Sequence, residues 1–512
     1  MENESANNKR IAKNTLLLYV RMLFMMLVSL YTSRVVLNTL GIEDFGLYNV
    51  VGGFVSMFTF LNSAMASSTQ RYMNFELGKG NMSNLRAVFS TSINIHACIS
   101  LLILVLAETI GLWFVYNKLT IPEARFDAAL WVYQSAIIST IIMVMSIPYN
   151  AAIIAHERMG AFAYISVLEV VLKLAIVYML TAFSFDKLKL YAILMLTVQL
   201  VVRLIYGSYC KRHFNETEYK MVFNKQLIKD MTGFAGWNLF GNIAVMTYTQ
   251  GLNVILNMFF GPAVNAARGI SVQVQNAIRG FSSNFQTAIN PQITKSYAGN
   301  DYRYMHKLIF TSSKFSVFLL LILSMPVMME SKTILTLWLN IVPDHTIQFM
   351  HLILVISMIE ALANPVVQGA LSTGKIRKYQ IVVGTTLLMI LPFSYLALKL
   401  GAVPEYVFIV HLIFAILAQA ARLIMSRTLI KLSITDYCRK VIVPIIIVSL
   451  ISFIVPYIFV QTVDESIYRL PVSCAICVLS TCLSIYCIGL TQNERTFIKT
   501  KIRQLQNKIS KK

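Results

Sequence analysis

Fourteen stretches of this chain are long and apolar enough to cross a bilayer, and that pattern constrains the fold more than any motif does. A crossing helix needs about 20 predominantly apolar residues. The stretches lie at 15–38, 46–70, 88–115, 127–154, 159–183 and 190–210, then at 233–259, 263–290, 308–329, 346–371, 379–399 and 405–426, with a further pair at 441–461 and 470–490. Hydrocarbon offers the backbone no water to bond with, so segments of this length satisfy their amides and carbonyls only as helices. The expected class is an all-α polytopic membrane protein with about fourteen transmembrane helices. Composition agrees: 57% of residues are apolar and 13% charged, where soluble chains average about a quarter charged. The polar, basic first residues precede an apolar run too long for a signal-peptide core and without a small-residue cleavage site, so it reads as a retained first span.

Charge sets the expected topology. Lysine and arginine collect on the cytoplasmic side of a membrane, and a cytoplasmic N-terminus puts most of the 44 Lys and Arg there. Both termini are then expected to be cytoplasmic. The net charge of +21 is explained by this asymmetry and by anionic lipid headgroups, without nucleic acid as a partner. The expected divisions are an N-terminal six-helix lobe (1–210), a cytoplasmic loop (211–229), a C-terminal six-helix lobe (230–427), an extra helix pair (428–491) and a basic tail (492–512).

An internal repeat supports two lobes. Val36-Leu37-Asn38 and Gly41 answer Ile255-Leu256-Asn257 and Gly261, and Gly80-Asn81 answers Gly299-Asn300. Ile147-Pro148 ahead of Arg158 answers Asn364-Pro365 ahead of Lys375. With six spans per copy the copies share one orientation, a parallel repeat of the kind that encloses a central cavity.

The polar residues inside spans carry the functional expectation. In span 8, Arg268, Gln275, Arg279, Ser282 and Gln286 fall on one helical face, since intervals of seven and eleven residues return to nearly the same angle. Span 2 bears Asn49, Ser56, Ser63 and Gln70, and span 7 bears Asn238, Asn242, Thr249 and Asn253. Such stripes either line a wet cavity or glue helices together by hydrogen bonds. An arginine at mid-membrane costs about 2.5–3.5 kcal/mol on insertion scales, which favours a role for Arg279. Arg268, Arg34 and Arg21 lie nearer span ends, where long side chains also snorkel; Arg203, Lys314 and Arg422 are expected to do so. Spans 1, 2, 7 and 8 hold no acidic residue beyond Glu43 and Asp44 in the turn, so their cations read as an uncompensated anion site. Guanidinium groups suit phosphate through bidentate, charge-assisted hydrogen bonds.

The other buried charges read differently. Glu169 and Lys173, four apart, are expected to neutralise each other, with Glu108 undecided between structure and function. Glu360, alone in span 10, is the candidate site for a coupling ion. His96 and His411 read as packing residues. Cys474-x-x-Cys477 lacks a second half and reads as small helix residues. No nucleophile, metal cluster or phosphate loop stands out, so neither an enzyme nor a cofactor is expected.

Lys9-Arg10-Ile11-Ala12-Lys13-Asn14-Thr15, the turn Leu40-Gly41-Ile42-Glu43-Asp44-Phe45-Gly46-Leu47-Tyr48, Pro148-Tyr149-Asn150 leading to His156-Glu157-Arg158-Met159, and Gly374-Lys375-Ile376-Arg377 give the chain a resemblance over nearly its whole length. It resembles the polysaccharide-transporter branch of the multidrug/oligosaccharidyl-lipid/polysaccharide (MOP, MATE-like) flippase superfamily. The resemblance implies a bacterial inner membrane as the location, alternating access, and an undecaprenyl-pyrophosphate-linked O-antigen, lipopolysaccharide or capsule repeat unit as cargo, with a periplasm-side polymerase as a partner. Arg279, Arg268, Arg34 and Arg21 would then take the anionic headgroup, and Gln275, Gln286, Ser282, Asn242, Asn49, Ser56 and Ser63 the sugar. The alternative is a cation-coupled multidrug exporter of the same fold; a non-transporting scaffold is the third class.

Overall fold

The computed structural model describes residues 2–56, 60–117, 121–182, 185–221, 223–339, 341–492 and 494–496, which form helices joined by short turns, with no strand among them. Twelve of the expected spans are long, apolar helices. The other two explain themselves. Span 2 runs across residues outside the described set, and span 8 is helical but more polar than the rest.

The chain divides into two compact units, 1–242 with 287–301, and 243–286 with 302–512. The boundary therefore falls within two helices, α8 (Lys225–Phe260) and α9 (Pro262–Ala298). The first unit holds α1 (Glu2–Ser56), α2 (Phe60–Lys79), α3 (Met82–Leu106), α4 (Leu112–Asn117), α5 (Phe126–Ala155), α6 (Met159–Ala182) and α7 (Lys187–His213), with the start of α8 and the last turns of α9. Its core is built from residues such as Met73, Phe89, Val177 and Tyr206. The second unit holds the rest of α8 and α9, then α10 (Tyr302–Met329), α11 (Ser331–Leu339), α12 (Thr346–Ser372), α13 (Arg377–Leu388), α14 (Ile390–Lys399), α15 (Tyr406–Leu429), α16 (Ile434–Tyr437), α17 (Val443–Thr462) and α18 (Arg469–Ser484). Tyr248, Phe349, Tyr379 and Phe408 are among its core residues.

Backbone conformation shows the repeat directly. Gly41 (φ 81°) breaks α1 and Gly261 (φ 77°) separates α8 from α9, each supplying the left-handed turn that a side chain resists. Gly80 (φ 70°) ends α2, and its partner is Asn300 (φ 59°) rather than Gly299. Asn81 and Asp301 make the matching amide bonds back to Glu76 and Ser296, at 3.1 and 2.9 Å. The alignment of Gly80-Asn81 with Gly299-Asn300 is thus one residue out, because asparagine tolerates the left-handed helix cap almost as glycine does. With that shift, both landmarks share one offset. Pro148 and Pro365 lie inside α5 and α12, and the left-handed residues following them at equal distance are Glu157 (φ 58°) and Gly374 (φ 76°).

The C-terminal helix pair is fastened to α10 at both ends. Glu330 just beyond α10 pairs with Arg469 at 2.9 Å, both side chains at most 5% exposed. Lys314 is 4% exposed and reaches Glu494 at 2.7 Å. This corrects the snorkelling expected for Lys314: the carboxylate sits in the tail, beyond the reach of any reading confined to spans. Arg203 lies 3.9 Å over the Tyr149 ring, so it too has a specific partner.

Candidate functional site

The polar face of α9 in the second unit is where the expected residues meet their surroundings. Arg268 is 9% exposed. Its Nη1 donates to the Asn253 side chain and its Nη2 to the Thr249 carbonyl at 2.9 Å, so the span 7 stripe on α8 serves to hold it. Gln275 donates to Ser357 Oγ at 2.7 Å. Gln286 donates to Ser316 Oγ at 2.9 Å and to the Ala361 carbonyl at 3.0 Å, and accepts from Asn364 at 3.1 Å. Ser282 is buried. For Gln275 and Gln286 the helix-gluing reading is therefore the one their contacts describe: both are engaged by α10 or α12.

Arg279 differs. Its side chain is 44% exposed, and Nη1 lies 2.7 Å from Glu360 Oε2 on α12. This corrects the expectation of an uncompensated cation and of a solitary Glu360. The acidic partner comes from span 10, which the search among spans 1, 2, 7 and 8 did not cover. The Tyr248 phenol faces the same carboxylate, and His411 stacks edge-on against Tyr248 at 5.0 Å between ring centroids. Arg422 on α15 is the next cation, beside Tyr248 and Tyr379. Arg422 acts on the same Tyr248 phenol as Glu360 and Arg268 on the same His411 ring, so cationic side chains share the neighbourhood of the pair.

In the first unit, Arg21 is half-buried over the Phe162 ring at 4.4 Å and contacts Met25 Sδ at 3.3 Å. Asn242 donates to Ser63 Oγ at 3.4 Å, both exposed. The side chains of Arg34, Asn49 and Ser56 lie outside the described residues. Lys173 donates to Glu169 at 2.5 Å, and Gln199 reaches the same carboxylate at 3.4 Å. Glu108 accepts from Gln134 at 3.3 Å. His96 is fully buried, its Nδ1 2.7 Å from the Ser92 carbonyl.

Two charge clusters escaped the reading of spans because their members lie at helix ends. The Glu157 side chain is fully buried and receives Arg10 Nε at 2.8 Å, Lys295 Nζ at 2.6 Å and Gln292 Nε2 at 2.7 Å, while Asn14 donates to its carbonyl at 3.1 Å. The available signal was a glutamate at the position where the second copy has Gly374. At the opposite helix ends, Arg125 bridges Asp44 in the acidic turn at 2.5 Å and Asp186 at 2.6 Å. Partial burial alone would raise the Asp186 carboxyl. The Arg125 guanidinium and the Leu188 and Lys189 amides outweigh it and hold the group below its ordinary value. At the corresponding helix starts of the second unit, His345 meets Glu405 at 2.5 Å.

No protein-family model matches the chain. Over 276 residues it is 19% identical to the "Uncharacterized membrane protein EpsK" of Bacillus subtilis (strain 168), spanning 54% of either chain, so it covers about half the length of this curated relative. Solved structures share the fold at low identity. An outward-facing multidrug resistance MATE family transporter of the MOP superfamily superposes with a TM-score of 0.70 at 14% identity, over 83% of this chain and 96% of that one. A MATE protein in a bent conformation gives 0.72 at 14% identity with the same coverage. A MOP superfamily transporter from Pyrococcus furiosus, whose binding pocket is described as reversed in polarity and suggestive of a different function, gives 0.68 at 14% identity, again over 83% and 96%. The chain therefore has the MATE fold and is a multi-pass membrane protein.

Proposed function

We propose that this protein is a flippase that moves an undecaprenyl-pyrophosphate-linked oligosaccharide, an O-antigen or capsule repeat unit, from the inner to the outer leaflet of a bacterial cytoplasmic membrane. The observation that carries the reading is Arg279, a mid-span guanidinium that stays 44% exposed beside Glu360 while its polar neighbours on α9 are consumed by helix contacts. A planar fork that remains protonated fits a pyrophosphate better than it fits a cationic drug. Oligosaccharide hydroxyls entering hydrocarbon unpaired would cost roughly 2–7 kcal/mol each, so the cargo needs a protein path. Alternating access is the cycle proposed for it, and an inside-negative potential assists outward movement of an anion by about 2.3 kcal/mol per charge per 100 mV. Both termini are cytoplasmic in this reading, which also gives a polymerase on the far side a role in consuming the product. Depleting the protein tests it: mass spectrometry of the accumulated lipid fraction should find a prenyl pyrophosphate carrying a completed repeat unit.

A second reading, a cation-coupled multidrug exporter, draws on Glu360 and on the likeness to a multidrug resistance transporter. It predicts increased drug sensitivity on deletion, with no change in lipid-linked intermediates.

A further inference from the structure

The pairing of Arg279 with Glu360 raises a problem for any anion carrier. A guanidinium left alone at mid-membrane would bind a pyrophosphate strongly and release it slowly, and a carrier has to do both in each cycle. Glu360 sits where it relieves this. Its Oε2 is 2.7 Å from Arg279 Nη1, at the position a headgroup oxygen would take, and both side chains are partly exposed, at 22% and 44%. A headgroup oxygen that is to take the Nη1 donor, and with it the full fork of the guanidinium, must displace the carboxylate. Among the described residues no other acidic side chain is found against the pair: Tyr248 approaches from α8, and His411 and Arg422 from α15. Arg422 acts on the same Tyr248 phenol as Glu360, and Arg268 on the same His411 ring, so the displaced carboxylate keeps cationic side chains in its neighbourhood.

Resting on the anion-site reading above, we infer that Glu360 is a resident counter-anion, an intramolecular competitor that occupies Arg279 in the empty carrier and drives the headgroup off after translocation. Because the competitor is tethered, its effective concentration is that of a linked ligand, independent of cargo. It lowers affinity for every anion and leaves neutral lipids untouched. Glu360 is in this sense a positioning residue for Arg279, since it touches the arginine rather than the cargo.

The full chain reconstituted in nanodiscs tests this with farnesyl pyrophosphate as the anionic probe and farnesol as the neutral one, reading equilibrium binding and dissociation rate. Glu360→Gln should bind farnesyl pyrophosphate about tenfold or more tightly, the change expected for one charge-assisted hydrogen bond freed from competition, and release it correspondingly slowly. Farnesol binding should not change. Glu360→Asp keeps the charge but shortens the reach by one methylene, and should fall between. Arg279→Ala should lose the pyrophosphate probe. If Arg279→Ala loses it while Glu360→Gln and Glu360→Asp bind no more tightly than wild type, the counter-anion inference is wrong and the anion site stands. If Arg279→Ala binds as wild type does, the anion-site reading itself fails. Should Glu360→Gln not fold, Glu360→Asp decides alone, and wild-type affinity in that variant overturns the inference.

Discussion

Lys295 donates to the Glu157 carboxylate at 2.6 Å, joining the last turn of α9 to the left-handed turn between α5 and α6. Arg10 and Gln292 complete the set of side-chain donors, so one buried carboxylate ties α1 and α9 to the turn between α5 and α6. Gly78 lets α2 close on the same place: a Cβ there would come within 2.6 Å of the Lys295 carbonyl. The anchored part of α9 belongs to the first unit, whereas Arg279 on the same helix belongs to the second.

Removing Glu157 would leave a buried ammonium and amide without their acceptor. Breaking a buried pair from one side costs about 3–5 kcal/mol, so Glu157→Ala should lower the melting temperature of the purified protein far more than Arg10→Ala, whose side chain is 46% exposed. Gly78→Ala should also destabilise, by about 1–3 kcal/mol, because backbone blocks the new methyl. Thermal unfolding in one detergent ranks the three variants; equal melting temperatures would mean the cluster contributes nothing.

Gln286 separates glue from cargo contact. It meets Ser316, Ala361 and Asn364, all within the second unit. Interhelical hydrogen bonds inside membranes average roughly 0.6 kcal/mol, so Gln286→Leu should cost little stability and leave surface polysaccharide intact. Loss of export at unchanged protein level would return Gln286 to the cargo path.

The Arg125–Asp186 bridge makes a pH prediction. The folded Asp186 carboxyl is held below its ordinary value of 3.8. A depressed carboxyl stabilises the fold above its unfolded value, and that contribution disappears as pH falls through the folded one. Wild type should therefore be more stable than Asp186→Asn at pH 7, with the gap closing below about pH 4. Because Asp186 also caps α7 through the Leu188 and Lys189 amides, Asp186→Ala should lose roughly 1 kcal/mol more than Asp186→Asn. A wild-type and Asp186→Asn pair equally stable at pH 7 would show that the carboxylate charge contributes nothing beyond the cap.

Hydropathy made the architecture legible because each crossing writes its own apolar run. The repeat was legible too, through Gly41 and Gly261, since a reversal between spans needs a left-handed residue. The single-residue error at Asn300 came from matching letters where the backbone matches conformations. The Arg279–Glu360 pair was illegible for another reason. One helical face is periodic and visible in the chain, whereas its partner lies on a helix about 80 residues away that nothing local marks as adjacent. Lys314 and Glu494 failed in the same way, as did the Glu157 cluster.

Arg279 offers the sharpest separation between charge and geometry. Arg279→Ala removes both fork and charge, and leaves Glu360 without its 2.7 Å partner; surface polysaccharide should vanish while the protein still inserts. Arg279→Lys keeps the charge on a point donor and gives up the bidentate fork. It should retain partial export, reduced by about tenfold if one charge-assisted hydrogen bond to the headgroup is lost. Scoring surface polysaccharide against membrane-inserted protein for both variants distinguishes the cases. If lysine does no better than alanine, the planar fork is what matters. If alanine exports like wild type, the cation has no part in transport and the pair with Glu360 serves only to hold α9 against α12.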